Sequence, residues 1–168
     1  HEGRNIIRRF IIQGQPFMVK RFKRANWIQS FIYSLFRKTK AEHAFIYAKA
    51  YRERGIDTPE EVAFIETRNC CGWFRDGYFI SLVSPYPPVC PLAEQTDQYD
   101  NQLVNDLAGM MVRMHRAGIL NKDLNLGNFL YHKESGEYHF TMVDINRTQL
   151  VNGIPDREKR LENLCTIT

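Results

Sequence analysis

From Ser84 to Pro91 the chain reads Ser-Pro-Tyr-Pro-Pro-Val-Cys-Pro. Four prolines in seven residues delete backbone donors and lock φ, so this stretch is neither a helix nor a central strand. It is a stiff connector, and the chain on each side of it must build its own secondary structure. The division predicted is an amino-terminal lobe over residues 1–84 and a partial carboxy-terminal lobe over residues 85–168. A chain of 168 residues accommodates one domain built from two such parts.

Before the connector the signals are mainly those of strands. Asn5–Ile12 is rich in β-branched residues and ends at Gln-Gly-Gln, a turn signal, after which Pro16–Phe22 resumes the apolar run. This predicts a hairpin, and two further strands follow over Val62–Glu66 and Gly77–Val83. Together they make a small, largely antiparallel sheet. Two helices interrupt the strands. Trp27, Ile28, Phe31, Ile32, Leu35 and Phe36 fall on one stripe at helical spacing. A second helix runs from Thr39 to Arg54 and stops at Gly55, with Pro59 beyond it. After the connector, Leu103, Leu107, Met110, Met111 and Met114 mark a helix that packs in the second lobe, with His115 in its last turn. Short strands are expected over Phe129–Tyr131 and Tyr138–Val143, and a charged helix over Asp156–Leu164.

The residues that carry chemistry lie between Met114 and Arg147. Asp123 is followed five residues later by Asn128, and Asp144 ends the next apolar run. A base, a carboxamide and a second carboxylate on a loop and a strand end suit Mg-assisted phosphoryl transfer. One carboxylate orients the attacking hydroxyl, while the amide and the other carboxylate hold metal on the nucleotide phosphates. Asp-x4-Asn alone is a weak signal, and its order in the chain strengthens it. Lys20 lies within a strand and Glu42 in the first turns of the second helix, the pairing that kinases use to hold a lysine against nucleotide phosphates. Taken singly, each has a plainer reading: a strand lysine at a solvent-facing position, and a helix-surface glutamate. Lys122 could add positive charge near the transferring group or stand as a solvated loop lysine.

These segments resemble a known family. Val19-Lys20-Arg21-Phe22, Thr39-Lys40-Ala41-Glu42, Arg54-Gly55-Ile56-Asp57-Thr58-Pro59 and Asn121-Lys122-Asp123-Leu124-Asn125-Leu126-Gly127-Asn128 look like the bacterial lipopolysaccharide kinases. That family phosphorylates Kdo or heptose of the inner core and is related to eukaryotic-type protein kinases. The resemblance implies an α+β, protein-kinase-like two-lobed fold, with a small antiparallel sheet plus helix in the first lobe and a mainly helical second lobe. It implies ATP and Mg²⁺ as cofactors and a lipopolysaccharide-core sugar as acceptor. Lys20 and Glu42 would then serve the nucleotide, Asp123 the sugar hydroxyl, and Asn128 and Asp144 the metal. The chain departs from the kinase pattern at Asn121, where kinases usually carry His, and at Asp144-Ile145-Asn146, which replaces Asp-Phe-Gly. A full glycine-rich loop and an Ala-Pro-Glu segment are also absent. Other readings are a kinase of a different alcohol or of a protein hydroxyl, and a non-catalytic pseudokinase or lipid-binding module.

Charge adds a partner. The net charge is +4, yet Lys20–Lys40 holds seven basic residues and no acidic one. Such a segment, with its aromatic helix stripe, suits peripheral contact with an anionic membrane. Nucleic acid is not expected, because the aromatics follow helical core spacing and not a stacking platform. No apolar run reaches a membrane-spanning length and no export leader is legible, so the expected location is cytoplasmic, on the inner face of the membrane. Cys70, Cys71, Cys90 and Cys165 show no zinc spacing and read as reduced thiols.

Overall fold

The computed structural model describes residues 5–22, 38–91 and 100–167. The helix predicted over Trp27–Phe36 lies outside these residues, as do Lys23, Arg24 and Arg37 of the basic segment. The chain divides into two compact units, one of residues 1–49 and 59–84, the other of residues 50–58 and 85–168. Residues 50–58 thus pack with the second unit although they precede the connector.

The first unit contains a four-stranded antiparallel sheet. Its strands are β1 (Ile6–Ile12), β2 (Gln15–Arg21), β3 (Glu61–Arg68) and β4 (Phe74–Leu82), in the order β1-β2-β4-β3. The turn signal acts as expected. Ile12 pairs with Gln15 across a two-residue loop, Gln13-Gly14, and both loop residues take positive φ. That turn has the twist a tight hairpin requires. Helix α1 (Lys40–Glu53) begins with Thr39 as its cap: the hydroxyl accepts the Glu42 N–H at 3.2 Å and donates to the Glu66 carboxylate at 2.6 Å. Ala41 and Ala44 of α1 pack against Phe22 and Phe79, so the helix covers one face of the sheet. Small residues at these two positions let the helix approach closely. A Cβ at Gly77 of β4 would already meet that of Ala41 at 3.1 Å.

In the second unit, helix α2 (Asn101–Arg116) buries Leu103, Met110, Met111 and Met114 of the stripe read from its spacing, together with His115, while Leu107 is half-buried. Asp100 caps it, accepting from the N–H groups of Gln102 and Leu103. Strand β5 (Ile119–Asn121) pairs with β8 (Thr148–Leu150), and β6 (Phe129–Glu134) pairs with β7 (Glu137–Met142). The connector docks along β6. The Val89 N–H donates to the Phe129 carbonyl at 2.8 Å, and Pro87 accepts from the Tyr131 N–H at 2.9 Å. A proline-rich segment can use its carbonyls in this way at a sheet edge, where its missing donors leave no ladder bond unmade. Helix α3 (Arg157–Leu164) starts at Asp156, which accepts the Lys159 N–H at 2.9 Å.

Gly118 joins α2 to β5 at φ +69, and a Cβ there would lie 2.4 Å from the Val151 carbonyl and 2.8 Å from that of Gly153. The same turn receives Arg54, whose guanidinium donates to the carbonyls of Ala117 at 2.7 Å and Gly118 at 3.1 Å. Both the backbone conformation and the space exclude a side chain. Gly118→Ala should therefore destabilise the chain by roughly 2–4 kcal/mol. Thermal unfolding checks it: an unchanged Tm would contradict the close approach.

Candidate functional site

In the first unit, Lys20 lies on β2, an interior strand hydrogen-bonded to both β1 and β4. Side chains alternate along a strand, so Lys20 shares a face with Phe22, and its register partner on β4 is Phe79. Both phenylalanines are covered by α1, and Lys20 accordingly belongs to the helix-covered face and is buried. Its ammonium stands 5.3 Å from the centre of the Phe22 ring. Arg21 takes the opposite face and forms a 2.8 Å ion pair with Asp76, which raises its pKa through that hydrogen bond. Glu42 lies in the first turn of α1, beside Ala41, and is 3.5 Å from the Lys38 ammonium. Two described cations of the basic segment, Arg21 and Lys38, are thus matched by carboxylates within their own unit.

The second unit gathers Lys122, Asp123, Asn128 and Asp144 around β5 and the hairpin β6–β7. Asp123 lies two residues beyond the end of β5. Its backbone N–H donates to Asn121 Oδ1 at 2.8 Å, and its carbonyl accepts from Asn128 Nδ2 at 3.1 Å. The loop of Asp123-x4-Asn128 is therefore closed on itself by side-chain amides at both ends. A short 3-10 turn, Leu126–Asn128, leads into β6, and Asn125 caps it by accepting the Gly127 N–H at 2.7 Å.

Asn128 and Asp144 stand at the two ends of the same hairpin. Phe129 pairs with Met142, and the Asn128 carbonyl accepts the Val143 N–H at 2.8 Å, one residue before Asp144. Asp144 itself turns the chain. It takes φ 54 and ψ 55, the left-handed region, and opens the 3-10 turn Ile145–Arg147. Aspartate tolerates this conformation better than most residues, yet it still disfavours folding by about 1 kcal/mol or more and tends to persist at functional sites. The hairpin end is clamped from outside as well. The Asp57 carbonyl accepts the Met142 N–H, and the Thr58 hydroxyl donates to the Met142 carbonyl, each at 2.8 Å. The Gly-Ile-Asp-Thr-Pro motif thus fixes the strand that delivers Asp144.

The donor set fits a hard cation. With Nδ2 of Asn128 committed to the Asp123 carbonyl, its Oδ1 is the atom left for a metal, alongside the Asp144 carboxylate. Two oxygen ligands are what Mg²⁺ requires when nucleotide phosphates and water complete its shell. Among the described residues no three His, Cys, Asp or Glu side chains gather to form another metal centre.

Arg147, unassigned in the sequence reading, also reaches this site. Its guanidinium is 3.6 Å from the Asp123 carboxylate, and its carbonyl accepts the Lys122 N–H at 3.1 Å. Lys122 is exposed. No spacing in the chain announces Arg147, because its neighbour lies across the β5–β8 pair.

Residues 17–167 match the model of the lipopolysaccharide kinase (Kdo/WaaP) family. The chain belongs to that family. It is 27% identical over 125 residues to the lipopolysaccharide core heptose(I) kinase WaaP of Pseudomonas aeruginosa, a match covering 72% of this chain and 44% of that protein. Its fold resembles that of a WaaP structure in complex with acyl carrier protein. The TM-score is 0.67 at 17% identity, over 97% of this chain and 65% of the other. The chain thus spans less than two thirds of the length of either relative. The α+β, protein-kinase-like fold expected from the sequence is the fold observed.

Within this family member the β6–β7 hairpin is anchored to α2 by Tyr138. Its hydroxyl donates to Asp100 Oδ2 at 2.6 Å and its N–H to Asp106 Oδ2 at 2.7 Å. The phenol bond holds the Asp100 carboxyl below its ordinary pKa of 3.8, and the backbone bond does the same for Asp106. A carboxylate with a depressed folded pKa stabilises the fold above its unfolded pKa and loses that contribution as pH falls through the folded value. Tyr138→Phe should lower stability near neutrality, and its difference from the parent chain should close below about pH 4. Urea unfolding across that range checks this; a difference independent of pH would refute the clamp.

Proposed function

We propose that this chain transfers the terminal phosphoryl group of ATP to a hydroxyl of a lipopolysaccharide-core sugar, heptose or Kdo. The observation that carries the reading is the loop closed by Asn121 and Asn128, which ties Asp123 to Asn128, whose carbonyl in turn bonds the residue before Asp144. Family membership supports the reaction class, and the similarity to a protein named as a heptose(I) kinase makes heptose the first acceptor to test.

In this reading the Asp123 carboxylate accepts the hydroxyl proton as the sugar oxygen bonds to the γ-phosphorus and ADP leaves. Arg147, 3.6 Å from that carboxylate, offers positive charge where charge develops on the phosphoryl oxygens. Asn128 and Asp144 hold Mg²⁺, which neutralises phosphate charge when bound with the nucleotide. Lys20 binds the nucleotide phosphates, with Glu42 steadying it, and Lys122 adds positive charge near the group in transfer. The burial of Lys20 on an interior strand supports its role, since an ordinary strand lysine would face water. The reaction would take place on the cytoplasmic face of the membrane, with the basic Lys20–Lys40 segment contacting anionic lipid. No helix among the described residues is long and apolar enough to cross a membrane.

The test is phosphate incorporation from ATP into a heptosylated Kdo-lipid acceptor, with ADP release measured in parallel. Asp123→Ala and Asp144→Ala should each lower turnover by about 10²–10⁴-fold. Lys20→Ala should act chiefly on the KM for ATP. Undiminished transfer in both aspartate variants would sink the assignment.

A further inference from the structure

The departure at Asn121 is the least accounted-for feature of the site. This residue is fully buried, yet each of its polar groups is engaged. Its Oδ1 accepts the Asp123 N–H at 2.8 Å, and its backbone carbonyl accepts from Asn163 Nδ2 of α3. Its Nδ2 donates to the Tyr51 hydroxyl at 3.4 Å and lies 3.8 Å from Met142 Sδ. Tyr51, also fully buried, is 2.8 Å from the Thr148 hydroxyl, which donates its one proton to the Ile145 carbonyl at 2.7 Å. The order of donors follows: Asn121 Nδ2 to Tyr51, Tyr51 to Thr148, Thr148 to Ile145. At the other end, Asn163 Oδ1 is 3.0 Å from His115 Nε2 on α2.

We infer that Asn121, Tyr51 and Thr148 form a buried positioning relay that sets the Asp123 loop and the Asp144 turn together. One end of the relay grips the Asp123 backbone. The other grips the carbonyl of Ile145, the residue after Asp144. Tyr51 decides which way the Asn121 amide faces. Were the amide reversed, Nδ2 would oppose the Asp123 N–H, donor against donor, and Oδ1 would face Tyr51, whose proton is given to Thr148. Inside a protein such an unsatisfied pair is strongly disfavoured, so the relay permits a single arrangement. None of these three residues touches the reacting atoms, and their effect on chemistry passes through Asp123 and Asp144. The inference rests on the proposed phosphoryl transfer for its kinetic consequence but not for its structural one.

Two readouts separate them. Amide hydrogen exchange at Asp123, followed by NMR on the full chain, needs no turnover. Tyr51→Phe and Thr148→Val each remove one hydroxyl and almost no volume, whereas Thr148→Ser removes a methyl group and keeps the relay. Tyr51→Phe and Thr148→Val should speed exchange of the Asp123 amide by about ten-fold or more, and Thr148→Ser should leave it near the parent rate. In the transfer assay the two breaking variants should lose about 10- to 100-fold in kcat, with the KM for ATP within about three-fold. Thr148→Ser should retain parental kcat even where its Tm falls. Asp123 exchange at the parent rate in both breaking variants overturns the relay, as does equal acceleration in Thr148→Ser. If Asp123→Ala and Asp144→Ala both leave transfer intact, the proposed function fails instead, and the exchange data still decide the relay.

Discussion

The groups assigned to the second unit hang from hydrogen bonds at the open end of one hairpin. The Asn128 carbonyl takes the Val143 N–H, and Met142 beside it is clamped on both its N–H and its carbonyl by Asp57 and Thr58. Strands β6 and β7 therefore cannot splay at that end without breaking several bonds at once. Asn128 enters the hairpin and Asp144 leaves it, so this one set of bonds fixes the spacing between the two metal-binding candidates. At the closed end Tyr138 ties the hairpin to α2 through Asp100 and Asp106. Rigid supports of this kind suit phosphoryl transfer, where the protein contributes mainly position and charge.

Burial strengthens the arrangement. Asn121, Tyr51 and Thr148 sit where water cannot replace a lost partner, so each broken bond leaves an unsatisfied group. Asp123 and Arg147 lie at the opposite extreme, partly open to solvent, where an ion pair contributes little to stability and remains free to rearrange around a substrate. The site thus combines a rigid, dry underside with a wet, adaptable upper face.

Much of the local structure was legible because it depends on near neighbours in sequence. The β-branched and apolar runs and the Gln-Gly-Gln turn signal predicted the first-unit sheet, and each strand of that sheet is observed. The Met-rich stripe gave α2 its buried face, and Asp156 marked the start of α3. Strands β5 and β8 were missed, since three residues each carry no readable period. Thr39-Lys40-Ala41-Glu42 was noted as a motif, but its work as a helix cap emerged only with the Thr39 hydroxyl seen between the Glu42 N–H and Glu66. Glu42 is observed against Lys38, and its part in holding Lys20 belongs to the proposed function.

The sequence by itself determined the inventory of chemistry: a strand lysine, a helix glutamate, and Asp123, Asn128 and Asp144 in the order that a kinase-like chain requires. Order and spacing survive in one dimension, so they can be read there. Only the tertiary structure decided how these groups are held. Tyr51 and Asn121 are separated by seventy residues of chain, and Thr58 and Met142 by eighty-four, and contacts over such distances leave no local pattern. Asn121 shows the difference most plainly. In the sequence it stood as a departure from the expected histidine. In the fold it is the fully buried amide that grips Asp123, because burial makes satisfying every one of its polar atoms obligatory.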